Sequence, residues 1–145
     1  MCLENQVAFK AESLKTYKVF CVRKNLLYSP FDLHFNIDLP FKINKLNVCE
    51  DSTGFHSFHY YEEAIFCMLR KHNDWCFKYK YSLVVLPVIA YDVIVKGNTA
   101  PPWCFTYNHK NGYVSYTSKS LLINADPNTD FYKLGQDQSF AYSHI

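Results

Sequence analysis

At 145 residues the chain has the length of one domain, long enough to bury roughly 68–70% of the surface its unfolded form exposes. Its 15 Lys and Arg stand against 13 Asp and Glu, a net charge of +2, and Arg23 and Arg70 are its only arginines, so a duplex nucleic acid is not the expected partner. The longest apolar run, near residues 83–90, is broken by Pro87 and falls short of the roughly 18 residues of a membrane span. The first residues, with Glu4 and Asn5, have no hydrophobic signal region, and a cytoplasmic protein without a membrane partner is expected.

Residues 1–15 mix charges without a sustained period and are expected to form an N-terminal arm, loosely packed. Residues 16–22 (Thr-Tyr-Lys-Val-Phe-Cys-Val) are β-branched and aromatic, which predicts a strand. Lys24-Asn25 makes a short turn into Leu26-Leu27-Tyr28, and Pro30 ends that hairpin because it has no backbone donor. Residues 41–48 alternate apolar and polar positions with a one-residue slip, the pattern of a strand carrying a bulge. A turn at 50–54 leads to a short extended piece at 55–58.

Tyr61, Ala64, Ile65, Met68 and Leu69 then fall at i, i+3, i+4, i+7 and i+8, one face of a 3.6-residue period, which predicts a helix over about 60–72. Glu62 and Glu63 lie in its first turn and Arg70, Lys71 and His72 in its last, matching the helix dipole at both ends. A strand over 76–87 continues beyond Pro87 to 95. Strands at 103–107 and 113–117 flank Asn111-Gly112, a hairpin signal, and a last short strand covers 121–123. From residue 126 the chain turns polar with scattered rings, a C-terminal tail either disordered or pinned by Phe131, Tyr132, Phe140 and Tyr142. These elements predict an α+β domain over 16–125: a mainly antiparallel, bent β-sheet with one principal α-helix packed on one face.

The chemistry-bearing residues form no complete set. His56 and His59 suggest a metal pair with Cys49 or Cys67, yet zinc needs three or four converging ligands, so no metal site is expected. The ordinary alternative has His56 bracing the turn through a backbone hydrogen bond and His59 exposed. A nucleophile from Cys67 or Cys76 beside His56 or His72 requires a lowered thiol pKa that no sequence feature supplies. The six cysteines lack CxxC spacing and are expected to be reduced and mostly buried. Lys78-Tyr79-Lys80-Tyr81 alternates cations with rings, a pattern that can serve single-stranded nucleic acid, but with a net charge of only +2 the expected reading is an ordinary half-buried strand with tyrosines inward and lysines outward. The 12 Tyr, 12 Phe and 2 Trp exceed what one core needs, and this surplus suggests an interaction surface that includes Trp75, Tyr79, Tyr81, Trp103 and Tyr107.

Three stretches carry a resemblance: Tyr17-Lys18-Val19-Phe20 leading into Leu27-Tyr28-Ser29-Pro30-Phe31; Gly54-Phe55-His56-Ser57-Phe58 with Glu62, Glu63 and Ala64 behind it; and Asn111-Gly112-Tyr113-Val114-Ser115. Together they resemble small uncharacterised bacterial and phage proteins in which a Gly-Phe-His turn joins a strand to a helix; those proteins tend to cap the helix with a small polar residue where Tyr60 stands here. The order is also faintly similar to ADP-ribosyltransferases, which bind NAD in a split sheet and use a late carboxylate. All five glutamates of this chain lie at or before Glu63, so the expected late strands offer no Glu and only Asp92 could substitute there.

The tyrosine surplus, the lack of a complete catalytic set and the resemblance to phage-associated proteins together lead to the expectation of a non-enzymatic accessory or counter-defence protein that engages a host protein through an aromatic surface, in the host cytoplasm if phage-encoded, with no cofactor and no catalytic residue. The alternative is a nucleotide-binding or ADP-ribosyltransferase-like domain with Tyr28, Ser29, His56 and Ser57 at its site. A structural virion component is a third class, and the oligomeric state is left open.

Overall fold

The computed structural model describes residues 3–29, 39–49, 54–71, 82–99 and 113–142. Among these described residues six strands and two helices follow in the order β1 (Leu3–Arg23), β2 (Leu26–Tyr28), β3 (Leu46–Val48), β4 (Phe55–Phe58), α1 (Tyr61–Lys71), β5 (Ser82–Thr99), β6 (Tyr113–Leu122) and α2 (Phe131–Tyr142). Every pairing between named strands is antiparallel, and α1 packs on the sheet, the α+β arrangement that the periodicities predict.

The longest ladder joins β1 to β5, from Leu3↔Thr99 to Val22↔Ser82. β5 pairs β6, β6 pairs β4, and β4 returns to β1 through Tyr17↔Phe58. The pairings therefore close into a ring, β1-β5-β6-β4, with β2 and β3 added at its edges. Lys24 (φ 50°) and Asn25 (φ 59°) both adopt left-handed backbone, the type I′ geometry that matches the twist of a two-residue hairpin between β1 and β2.

Alternation along the strands sorts the side chains into two groups. Val19, Cys21, Phe58, Leu83, Val85 and Tyr113 lie outside the ring under Ala64, Ile65, Cys67 and Met68 of α1. Phe20, Val22, Val84, Leu86 and Val88 take the other side with Leu27, Leu121, Ile123 and Phe131. Glu63, buried on α1, accepts a 2.9 Å hydrogen bond from the Val114 amide and ties the helix to the start of β6.

Several expectations are corrected. Residues 3–15 are not an arm but the first half of β1; register shifts between Glu4 and Val7 and between Ala8 and Ala11 break the period-two pattern that would have revealed them. The expected strand over 41–48 shrinks to Leu46–Val48, because Asn44 takes φ 60° at the slip and Ile43 makes only an isolated parallel bridge to Ile123. The strand expected separately at 121–123 continues β6. The expected hairpin around Asn111-Gly112, with the strand at 103–107, lies outside the described residues, as do residues 76–81 and His72.

The tail is corrected as well, since residues 131–142 form α2. Asp130 caps it, its carboxylate accepting from the Lys133 amide at 3.0 Å. Asn25, in the β1–β2 turn, accepts from the Phe131 amide at 2.9 Å and donates to the Thr129 carbonyl at 3.0 Å, anchoring the same end. α2 then crosses the edge of β5 that β6 leaves uncovered before Ile89. There the Gln138 side chain accepts from the Val85 amide at 2.9 Å and donates to the Val85 carbonyl at 2.8 Å, bonding as a neighbouring strand would. Pro87 is tolerated on this part of β5, where β6 does not pair. Among the described residues no helix is long and apolar enough to cross a membrane.

A Cβ on Gly135 would collide with the Leu83 carbonyl oxygen, so the approach of α2 to β5 requires glycine. Gly135→Ala should lower stability even though alanine favours a helix over glycine by about 1 kcal/mol. Urea denaturation checks this: the expected result is a lower midpoint, and an unchanged or higher one would contradict the close contact.

Candidate functional site

The register places one set of side chains inside the ring. Tyr17 and Phe58 are partners and lie on the α1 side, so their neighbours Lys18 and Ser57 point inward, together with Thr16. Ser57 pairs with Tyr116 and Phe55 with Ser118, which adds these three to the inner side. The ring thus encloses a polar cluster of Thr16, Lys18, Ser57 and Ser118, all nearly or fully buried, at 0%, 4%, 1% and 1% exposed.

Lys18 Nζ donates to the His56 carbonyl at 2.7 Å and stands 5.9 Å from the Phe20 ring centre and 6.0 Å from that of Phe41. These contacts place an ammonium against a carbonyl and two aromatic faces, which attract a cation. Phe41 packs edge-on against Phe20 at 5.1 Å and leans on Phe55 at 5.5 Å, forming the apolar rim of the cluster. The hydroxyls of Thr16, Ser57 and Ser118 are buried and have no hydrogen-bond partner among the described residues.

At another end of the interior, the Tyr116 hydroxyl and His59 Nδ1 are 2.8 Å apart, and Phe9 packs on the Tyr116 ring at 5.5 Å. Burial first, and Tyr60 second, push the Tyr116 phenol up, so it keeps its proton at neutral pH and can donate to the imidazole. His59, expected to be exposed, is therefore half-buried and engaged.

The four residues of the nucleotide reading divide between two sides of the sheet. His56 lies on the same side of β4 as Phe58, its ring edge-on to Phe58 at 4.9 Å, and contributes its backbone carbonyl to Lys18. Ser57 points the opposite way, into the ring. Tyr28 pairs with Cys21, packs on the α1 side and carries the Arg23 guanidinium 4.2 Å over its ring; Ser29 follows it, half-buried. Asp92 is exposed on β5 with φ 53°. Trp75, Tyr79, Tyr81, Trp103 and Tyr107 lie outside the described residues. Cys21 and Cys67 are buried thiols and Cys49 is half-buried. Among the described residues no three His, Cys, Asp or Glu side chains are grouped to hold a metal.

Lys18, Thr16 and Ser118 were not singled out by the sequence reading. The signal was parity: Lys18 shares its side of β1 with Phe20 and Val22, both core residues, which marks it as an inward lysine.

Burial, then the charge of Lys18, hold the His56 imidazole well below its ordinary value of 6.5. The folded protein therefore keeps His56 neutral where the unfolded chain takes up a proton. Stability contributed by the neutral ring is present above about pH 6.5 and is lost as pH falls toward the depressed folded value, at up to about 1.4 kcal/mol per pH unit. Urea midpoints measured across this window should fall more steeply for the natural chain than for His56→Gln; parallel slopes would contradict a neutral His56.

Comparison of the chain with protein-family models, with curated proteins and with solved structures finds no match.

Proposed function

We propose that the chain is a non-enzymatic binding protein that engages another protein through apolar and aromatic side chains at its surface. The observation that supports this most is the outer face of α2, where Phe140 is 73% and Tyr132 51% exposed. They stand two turns apart with Gln136 between them, and the Gln136 amide donates to the Tyr132 hydroxyl at 2.9 Å, holding that ring in place. Aromatic anchors at this spacing on a docked helix fit insertion into a partner's groove. The opposite face of α2 is committed to β5 through Gly135 and Gln138, so the exposed rings are presented from a fixed support.

Among the described residues, three side chains that could serve catalysis are engaged in packing or hydrogen bonding: Cys67 is buried in the cluster between α1 and the sheet, His56 packs on Phe58, and His59 is hydrogen-bonded to Tyr116. In the phage setting implied by the sequence resemblance, the partner is a cytoplasmic protein of the host.

Phe140→Ser and Tyr132→Ser alter exposed positions and should leave the fold intact. Affinity for a partner captured from host lysate and then purified should fall tenfold or more in each variant, about 1.4 kcal/mol. Undiminished affinity in both would remove α2 from the interface. A rise in melting temperature with NAD, ADP-ribose or a cyclic nucleotide at roughly millimolar concentration would favour a nucleotide site instead.

A further inference from the structure

The buried hydroxyls of Thr16, Ser57 and Ser118 come from three different strands of the ring, β1, β4 and β6. Continuing the Tyr17↔Phe58 pair by one residue sets Ser57 opposite Lys18, while the β4–β6 ladder sets it opposite Tyr116. Ser118 and Thr16 each stand one diagonal step from Ser57 on the same inner side. Direct cross-strand neighbours have Cβ atoms about 4.5–5.5 Å apart and diagonal neighbours about 7–8 Å. The three hydroxyls therefore converge on one small volume, with the Lys18 side chain as part of its wall.

A buried hydroxyl left without a partner is destabilising, and native interiors rarely hold three of them together unless something occupies the space between. We propose that Thr16, Ser57 and Ser118, beside Lys18, form an internal binding site for one small monovalent anion of halide size. The chemistry selects the class. Each hydroxyl can donate a proton into the volume, and the adjacent ammonium sets a positive potential that repels a cation. An apolar guest would leave the hydroxyls unsatisfied. Phe20, Phe41 and Phe55 pack ring against ring beside the cluster and offer no side-chain donor to the further oxygens of a larger oxyanion. This site is independent of the α2 surface, so neither reading depends on the other.

Crystals of the full chain soaked in sodium bromide test the site by anomalous scattering. The expected result is a bromide peak within hydrogen-bond distance of at least two of the three hydroxyl oxygens. Water alone at these oxygens overturns the proposal. In solution, the melting temperature should rise saturably with sodium chloride but not with sodium gluconate at equal ionic strength. Ser57→Ala and Ser118→Ala each remove one partnerless oxygen from a core that keeps its shape, and both should fold. Each should raise the chloride midpoint about tenfold. Equal responses to the two salts, or an unchanged midpoint in both variants, overturn the proposal. So does a bromide peak without the saturable chloride response, which would mark binding at crystal concentration only.

Discussion

Closure of the strand ring through Tyr17 and Phe58 is the contact on which the rest of the architecture depends. Without it, β1, β5 and β6 would form an open sheet with β4 as a short edge, and the side chains opposite α1 would face water. With it, one side of each strand becomes an interior. Closure also removes the unpaired donors and acceptors along much of the ring, the general advantage of a barrel over a flat sheet. Gly54, at φ 74°, lets β4 reach this position: a Cβ there would stand 2.6 Å from the Thr117 methyl and 2.7 Å from the Ser118 carbonyl oxygen. The Gly-Phe-His stretch is thus where the ring is pulled shut.

The interior that results is unusually polar for its size. Hydrophobic contacts dominate its end near Phe20, Val84, Leu86 and Leu121, but its middle holds an ammonium and three hydroxyls. Burying a charge is costly unless it is hydrogen-bonded, and the His56 carbonyl and two aromatic faces meet that requirement in part for Lys18. Burial first, and the charge of the same ammonium second, keep the His56 ring neutral on the far side of β4. One lysine therefore acts on both sides of a strand, directly through its hydrogen bond and at a distance through its field.

Local patterns made α1 legible, because a single apolar face and charges suited to the dipole agree there. The β1–β2 hairpin was legible for a similar reason, a short turn between two apolar runs, although its left-handed geometry was not. The first half of β1 was hidden by its bulges and by exposed residues such as Val7, which blur the alternation of a strand. α2 was hidden by Gly135 and a polar composition, even though Asp130 is a helix cap and Phe131, Leu134, Gly135 and Gln138 follow at helical spacing. The inner cluster joins residues brought together only by ring closure, a long-range event that no local window contains; Ser57 was named for its neighbours and not for the side of β4 it occupies.

The Gln138 contact has a bearing on how the chain reaches this state. The edge of β5 at Val85 is covered by a residue 53 positions later in the chain. At the usual rate of ~5–20 residues per second, synthesis of that interval takes about 3–10 s, during which Val85 has neither the Gln138 amide nor a β6 partner at its edge. A nascent β1–β5 ribbon would spend those seconds open to pairing with another strand. The short stretch of helix that ends this delay serves as a closing stitch, and the moment of its docking is when a sticky ribbon becomes a sealed one.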